Sequence, residues 1–187
     1  MGRWEPDARD RLERAAIELF QEQGFAATTV PEITARAGLT TRTFHRHFTD
    51  KREVLFGDVE AMPELATRMI ADAPAAQDPM TVILEGLRMV AATRFEGRRD
   101  DLRLRREIVR SDTGLRERNL HKWSTLSAAI RAGFITRGLS PTRAALLAET
   151  AVTLLHVSFD EWLDQDDDRS LFQIIENTRD LLREAIA

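Results

Sequence analysis

The chain has 187 residues, a formal net charge of −4 at pH 7 and no cysteine. The length allows one domain or two small ones that share a core. The absence of cysteine excludes disulfides, thiol catalysis and cysteine-ligated metal centres. The sequence contains no apolar run of about 18 residues and no secretory leader, so we expect a soluble cytoplasmic protein without a membrane helix.

Apolar residues recur with helical spacing along the whole chain, and strand signals are almost absent. The first predicted helix ends at Gly24. Thr29 predicts the N-cap of a second helix, which ends at Gly38. Thr40 predicts the N-cap of a third helix that continues to about His47. These three short helices predict a compact N-terminal bundle.

Asp50 predicts the N-cap of a helix that starts at Lys51 and contains Val59, and Pro63 is expected to kink or end it. The segment 73–79 predicts a loop. Further helices are predicted at about 80–96, 101–111, 114–137, 141–164 and 169–186. The fold class is therefore all-α with about nine helices. We expect two domains, at residues 1–52 and 53–187.

The two short helices before and after Gly38 predict a helix-turn-helix, because glycine permits the positive φ of a sharp turn. The segment from Arg36 to Arg52 has a net charge of +4 within an acidic chain. A small basic face on an acidic body is typical of specific binding to a polyanion. The alternative is a helical hairpin whose outer charges are only solvated.

A set of residues between positions 24 and 55 occurs at the spacing of a known motif and makes the helix-turn-helix prediction more specific. They are Gly24, Phe25, Thr29, Val30, Ile33, Ala37, Gly38, Leu39, Thr40, Thr43, Phe44, His47, Phe48, Asp50, Lys51, Val54 and Leu55. With this spacing the segment resembles the DNA-binding domain of the TetR family of transcriptional repressors. Thr34 departs from the usual alanine, a change that we expect to be tolerated. His45 replaces the common tyrosine, and its i, i+2 spacing from His47 argues against a metal pair.

The resemblance implies a set of DNA-binding residues: Thr29, Thr40, Thr41, Arg42, Thr43, His45, Arg46 and Lys51. Thr41, Arg42 and Thr43 are expected to meet base edges in the major groove, with Arg42 placed for a bidentate contact to guanine. Thr29, Thr40 and Lys51, which lie at the starts of predicted helices, are expected to hold phosphates. Arg46 is a further phosphate candidate, or else a surface charge.

In the family, the last two long helices form a homodimer that places two reading helices in successive major grooves. The resemblance assigns this role to the helices at about 141–164 and 169–186. Both are rich in apolar residues, which fits a second buried face. The alternative is that these residues pack only within the chain.

The resemblance also implies an effector pocket in the second domain. The candidate lining residues are Leu65, Met69, Leu87, Arg88, Ala91, Phe95, Trp123, Ile130, Phe134 and Phe159. Such a lining suits a small apolar or amphipathic effector. One candidate is an acyl-CoA, because the form of the reading helix resembles a branch of the family that senses long-chain acyl-CoA. The six arginines from Arg98 to Arg110 would suit its phosphates, or else form a solvated face with ion pairs.

The resemblance implies a DNA-binding domain at residues 1–52 and a ligand-binding and dimerisation domain at 53–187. It therefore implies a ligand-responsive repressor that binds a palindromic operator on double-stranded DNA as a dimer. The alternative is a helical ligand-binding protein whose helix-turn-helix no longer reads DNA. No phosphate-binding glycine loop, nucleophile elbow or zinc-binding helix motif is present, so no enzyme activity is predicted. No cofactor and no metal are predicted.

Overall fold

The structure, a computed structural model, describes residues 8–57 and 61–186. These residues form nine α-helices and no strand, which confirms the all-α prediction. The helices are α1 (Ala8–Gln23), α2 (Val30–Ala37), α3 (Thr41–His47), α4 (Met62–Asp72), α5 (Pro79–Val90), α6 (Arg99–Ser111), α7 (Thr113–Thr136), α8 (Pro141–Asp164) and α9 (Leu171–Ala185). None of them is both long and apolar enough to span a membrane.

The predicted caps of the first helices are confirmed. The Thr29 side chain accepts from the Glu32 amide at the start of α2, and the Glu32 carboxylate accepts from the Thr29 amide at 2.7 Å. Thr40 caps α3 by accepting from the Thr43 amide at 3.2 Å. Gly38 ends α2 with a φ of 65°, as the turn requires.

The predicted helix from Lys51 to Pro63 is wrong for residues 51–56, which are not α-helical. A short 3₁₀ turn, Glu53–Leu55, replaces its first part, and Pro63 lies in the first turn of α4, where no amide donor is needed. One physical reason is at Val54, whose carbonyl accepts from Arg105 Nη1 at 2.6 Å, a side-chain bond that competes with helical pairing of this carbonyl. Val59 lies outside the described residues.

Two later boundaries also differ from the prediction. The α-helical part of the segment 80–96 ends at Val90, and Ala91–Phe95 forms a π-helical turn. Gly114 lies inside α7 rather than between helices. The break falls at Asp112, whose side chain accepts from the Leu115 amide at 2.9 Å.

The chain divides into two compact units. The first contains residues 8–57 and Arg103–Asn119, and its fully buried side chains include Leu12, Ile33, Phe44 and Leu115. The second contains residues 61–102 and 120–186, with a core formed by Phe134, Leu154, Leu155, Leu163, Leu171, Ile174 and Ile175. These packing units do not test the functional division at residues 52 and 53, which stays a prediction.

Candidate nucleic-acid interface and effector pocket

The turn between α2 and α3 is fixed by backbone and side-chain hydrogen bonds. The Leu39 amide donates to the Thr34 carbonyl at 2.8 Å, and Arg11 from α1 donates to the Ala37 carbonyl at 2.6 Å. The Thr34 side chain is buried, and its hydroxyl donates to the Pro31 carbonyl at 3.0 Å. The departure at Thr34 is thus accommodated without an unsatisfied polar group.

Helix α3 buries one side and exposes the other. Phe44 is fully buried, and its ring lies 5.3 Å from that of Phe48, which anchors the helix to the first unit. The opposite side carries the exposed residues Thr41, Arg42, His45 and Arg46, with Thr43 half-buried at its edge. Short donors and long cations with helical spacing can reach base edges and phosphates.

The charges of the basic segment are distributed unevenly. Arg36 pairs with Glu22 at 2.7 Å and with Glu18 at 3.4 Å, and Arg52 pairs with Asp50 at 2.9 Å. Over residues 8–57 and 61–186, by contrast, Arg42 makes no ion pair and no hydrogen bond. The cation at the centre of the exposed side of α3 is therefore available to an external anion.

Two further predicted residues, Arg46 and His45, have local neighbours, and His47 lies beside them. Arg46 has no carboxylate partner in the described part of the chain, and its Nη2 lies 3.4 Å from His47 Nε2. Burial and the nearby Arg46 and Arg9 charges lower the pKa of His47, which favours the neutral form of its ring. The His45 ring packs edge-on against Phe44 at 5.5 Å.

Lys51 differs from the other predicted phosphate ligands. Its Nζ donates to the carbonyls of Phe25, Ala26 and Thr28, at 2.7, 3.3 and 2.6 Å, and lies 4.4 Å from the centre of the Phe25 ring. Burial lowers the pKa of this ammonium group. All three of its hydrogens are directed at the chain itself.

A small apolar cavity lies in the second unit, among α4, α5, α7 and α8. Four predicted lining residues contribute to it: Leu65, Met69, Leu87 and Ile130. Sequence reasoning missed others, namely Ala66, Ile70, Val82, Ile83, Gly86, Val90, Ala151 and Leu155. The spacing of Val82, Gly86 and Val90 could have identified the inner side of α5. The cavity volume is about 60 Å³.

The other six predicted residues do not line this cavity. Ala91 and Phe134 are core residues, and the Phe95 ring packs against Phe159 at 5.0 Å. Arg88 is exposed, with its guanidinium 4.4 Å from the Phe172 ring. The Trp123 ring lies 5.7 Å from His156, and its buried Nε1 has no hydrogen-bond acceptor among the described residues.

The arginines between Arg98 and Arg110 have partners within the chain. Arg98 pairs with Asp101 at 2.9 Å. Arg99 donates to backbone carbonyls of the segment after α8, including that of Arg169 at 2.8 Å. Arg105 is buried and pairs with Glu13 at 3.1 Å. This arrangement favours the ion-paired interpretation over a site for the phosphates of coenzyme A.

Most apolar residues of α8 and α9 are either buried in the core of the second unit or partly buried against it. Ala144, Ala151, Leu154, Leu155, Leu171, Ile174 and Ile175 are all at most 2% exposed. The exposed apolar side chains are Leu146 and Val157 on α8 and Leu181 on α9, at 66%, 47% and 54%. Any contact with a second copy through these helices would involve the exposed residues, which sequence patterning did not separate from the core.

Comparison with known proteins is most specific for the helix-turn-helix. Residues 13–57 match the family model described as "Bacterial regulatory proteins, tetR family". Over 82 residues the chain is 37% identical to the HTH-type transcriptional regulator TcmR of Streptomyces glaucescens. The aligned region is 44% of this chain and 36% of TcmR. It is also 35% identical over 54 residues to the regulator YerO of Bacillus subtilis, 29% of this chain and 19% of YerO. The matches thus span about a third or less of these relatives.

Two solved structures resemble nearly the whole chain. One is Thermus thermophilus FadR, a TetR-family transcriptional repressor in complex with lauroyl-CoA, with a TM-score of 0.54, 23% identity and coverage of 96% of this chain and 95% of FadR. The other is NalD, a repressor of the MexAB-OprM efflux pump in Pseudomonas aeruginosa, with a TM-score of 0.57, 19% identity and 91% coverage of each chain. At these identities the likeness shows the fold alone.

Proposed function

We propose that the chain, whose residues 13–57 match the TetR family model, is a cytoplasmic repressor of that family that binds a palindromic operator as a homodimer. The observation that carries the proposal is the exposed side of α3, where Arg42 is free of ion pairs among the described residues. A small effector would release the protein from DNA by favouring a conformation with a different spacing of the two reading helices.

The proposed contacts fall into two classes. Arg42, with Thr41 and Thr43 beside it, would read base edges in the major groove. Thr29 and Thr40 at helix starts, Arg46 and His45 would bind phosphates, which give affinity without sequence information. The hydroxyls of Thr29 and Thr40 already cap their helices. We therefore expect the phosphates at these positions to be bound by the backbone amides of the helix starts, without a further charge.

The first experiment is binding of the purified protein to the intergenic DNA upstream of its own gene, at two salt concentrations and with competitor DNA present. Tight, salt-dependent protection of a palindrome would support the proposal. Binding that is weak and indifferent to sequence at this fragment and across a genomic DNA library would contradict it. That result would favour a ligand-binding protein that no longer reads DNA.

Replacing Arg42 by alanine is expected to reduce the preference for the operator over competitor DNA by roughly tenfold or more, because a bidentate contact to guanine is lost. The matched control is Arg36→Ala in the same domain, where the guanidinium is already paired with Glu22 and Glu18. Competition binding of both variants measures the effect. An equal loss of preference in the two variants would contradict the role of Arg42.

The effector that we propose is small and apolar or amphipathic, with an acyl-CoA as one candidate because FadR binds lauroyl-CoA. The cavity of about 60 Å³ is well below the roughly 300–1,000 Å³ of typical ligand sites. Binding therefore requires the wall to open, which the flexible side chains of Met62 and Met69 permit. Every lining residue is apolar or glycine, so the lining favours the acyl chain over any charged group.

We expect lauroyl-CoA and dodecan-1-ol to raise the thermal unfolding midpoint (Tm) by roughly 5 °C at a hundredfold excess over the dissociation constant, and coenzyme A to have no effect. Ala66→Leu, which fills the cavity, should remove this shift. Ala128→Leu on the exposed side of α7 is the control that should keep it. Equal shifts with lauroyl-CoA and coenzyme A would instead indicate an anion site.

A further inference from the structure

The surroundings of the Lys51 ammonium group form a cage made by the chain itself. Three carbonyl oxygens, those of Phe25, Ala26 and Thr28, accept its hydrogens, and the face of the Phe25 ring covers it at 4.4 Å. An ammonium group has three donors and no more. In this geometry no donor is left for a phosphate.

The three carbonyls that surround the ammonium group belong to the loop that joins α1 to α2. The same loop is held by Thr28, whose buried hydroxyl donates to the Gly24 carbonyl at 2.9 Å. Thr28 directly precedes Thr29, the N-cap of α2. Lys51 thus links the segment after α3 to Thr28, the residue before the N-cap of α2 and 23 residues earlier in the chain, and so restrains the start of α2.

The residue type at this position fits the cage. Only two of the 27 basic residues of the chain are lysines, Lys51 and Lys122. A compact ammonium group can donate to three converging carbonyls, whereas a planar guanidinium directs its donors outward in a fixed fork. Contacts to phosphates do not require lysine, and arginine supplies the other cations of the helix-turn-helix.

We infer that Lys51 is a positioning residue, which orders the loop before α2 and so places the start of α2, rather than a ligand of DNA phosphate. The inference concerns DNA only through the proposed function, because the cage itself exists without DNA. It predicts that loss of Lys51 weakens binding to every DNA sequence alike. The reason is that the start of α2 would then be misplaced, and this part of the protein is proposed to contact phosphates, not base edges.

The first measurement is thermal unfolding of the full chain without DNA. Lys51→Met removes the charge and all donors, and Tm is expected to fall by roughly 5 °C. Lys51→Arg keeps the charge but not the geometry, so its Tm should fall as well. Arg14→Met removes an exposed cation of α1 that makes no ion pair or hydrogen bond within the described residues, and it should leave Tm nearly unchanged. A wild-type Tm in Lys51→Met or Lys51→Arg would overturn the cage as the role of Lys51.

The second measurement is binding to a random-sequence duplex over a range of salt concentrations, at a temperature where every variant is folded. For Lys51→Met we expect affinity to fall roughly tenfold at each salt concentration, with the salt dependence unchanged because no cation has left a phosphate. A slope reduced by about 0.9 would show a direct phosphate contact and overturn the inference. Unchanged affinity beside a lower Tm would also overturn it, since Lys51 would then be structural only.

The two measurements separate the two proposals. If the wild-type protein binds neither the random duplex nor its upstream DNA, the proposed function fails. The unfolding experiment still judges the cage in that case, because it uses no DNA.

Discussion

Replacing Arg105 by methionine is expected to lower the free energy of unfolding by about 3 kcal/mol, the largest effect of any single cation in the first unit. Arg105 is 7% exposed. Its guanidinium donates to the Val54 carbonyl at 2.6 Å and pairs with Glu13 at 3.1 Å. Methionine keeps most of the side-chain volume, so it leaves no large cavity. The loss of stability therefore measures the cost of removing the guanidinium from the Val54 carbonyl and the Glu13 carboxylate.

The matched control is Arg14→Met on α1. Arg14 is exposed, and within the described ranges it makes no ion pair or hydrogen bond, so its replacement should change the free energy of unfolding by less than about 0.5 kcal/mol. Urea unfolding of the two variants and the wild type gives the comparison. A loss below about 1 kcal/mol for Arg105→Met would mean that water satisfies Glu13 and Val54 in its place.

The position of Arg105 shows where sequence analysis stops. By sequence it is one of six arginines in a short segment, which predicts either a solvated face or an anion site. Its actual partners, Glu13 and Val54, lie 92 and 51 residues away along the chain. Helical periodicity reports which residues share a side of a helix, but not which distant group that side meets. The same contact holds the Val54 carbonyl, in the 3₁₀ turn that replaced the predicted helix.

Local signals, by contrast, were sufficient for the reading motif. The capping pair Thr29 and Glu32, the cap Thr40 and the left-handed Gly38 each act within four residues of the backbone group they satisfy. Such interactions depend on spacing in the sequence, and they define the start and end of α2 and the start of α3. The exposed position of Arg42 follows from them, because Phe44 fixes the buried side of the helix.

The effector pocket was predictable only in part. The spacing of apolar residues on α5 identified Leu87, whereas Ala91 and Phe95 fall in the π-helical turn that follows the helix. An inserted residue rotates every later side chain relative to the helical pattern. Leu65 and Met69 were identified on α4 by the same periodicity, and both line the cavity. The size of the cavity depends on how side chains of four helices interlock, which no local pattern records.

Replacing Leu146 by glutamate is expected to convert the proposed dimer to a monomer and to weaken operator binding by roughly a hundredfold or more, because the second half-site contact is then no longer intramolecular. Leu146 is 66% exposed on α8, and Val157 lies eleven residues further on. Eleven residues are about three turns, so both side chains lie on one side of the helix, about 16 Å apart. Two large apolar side chains exposed on the same side of one helix fit a surface that a partner covers, whereas a single exposed leucine would not.

Leu120→Glu on α7 is the matched control, because Leu120 is also 66% exposed and lies outside α8 and α9. Light scattering coupled to size-exclusion chromatography measures the mass of each variant, and operator binding is measured on the same samples. We expect Leu120→Glu to remain dimeric and Leu146→Glu to be a monomer that keeps the helix content of the wild type, since neither side chain belongs to the core. A dimeric Leu146→Glu that binds the operator as tightly as the wild type would exclude α8 as the interface. A monomeric Leu120→Glu would assign the interface to α7 instead.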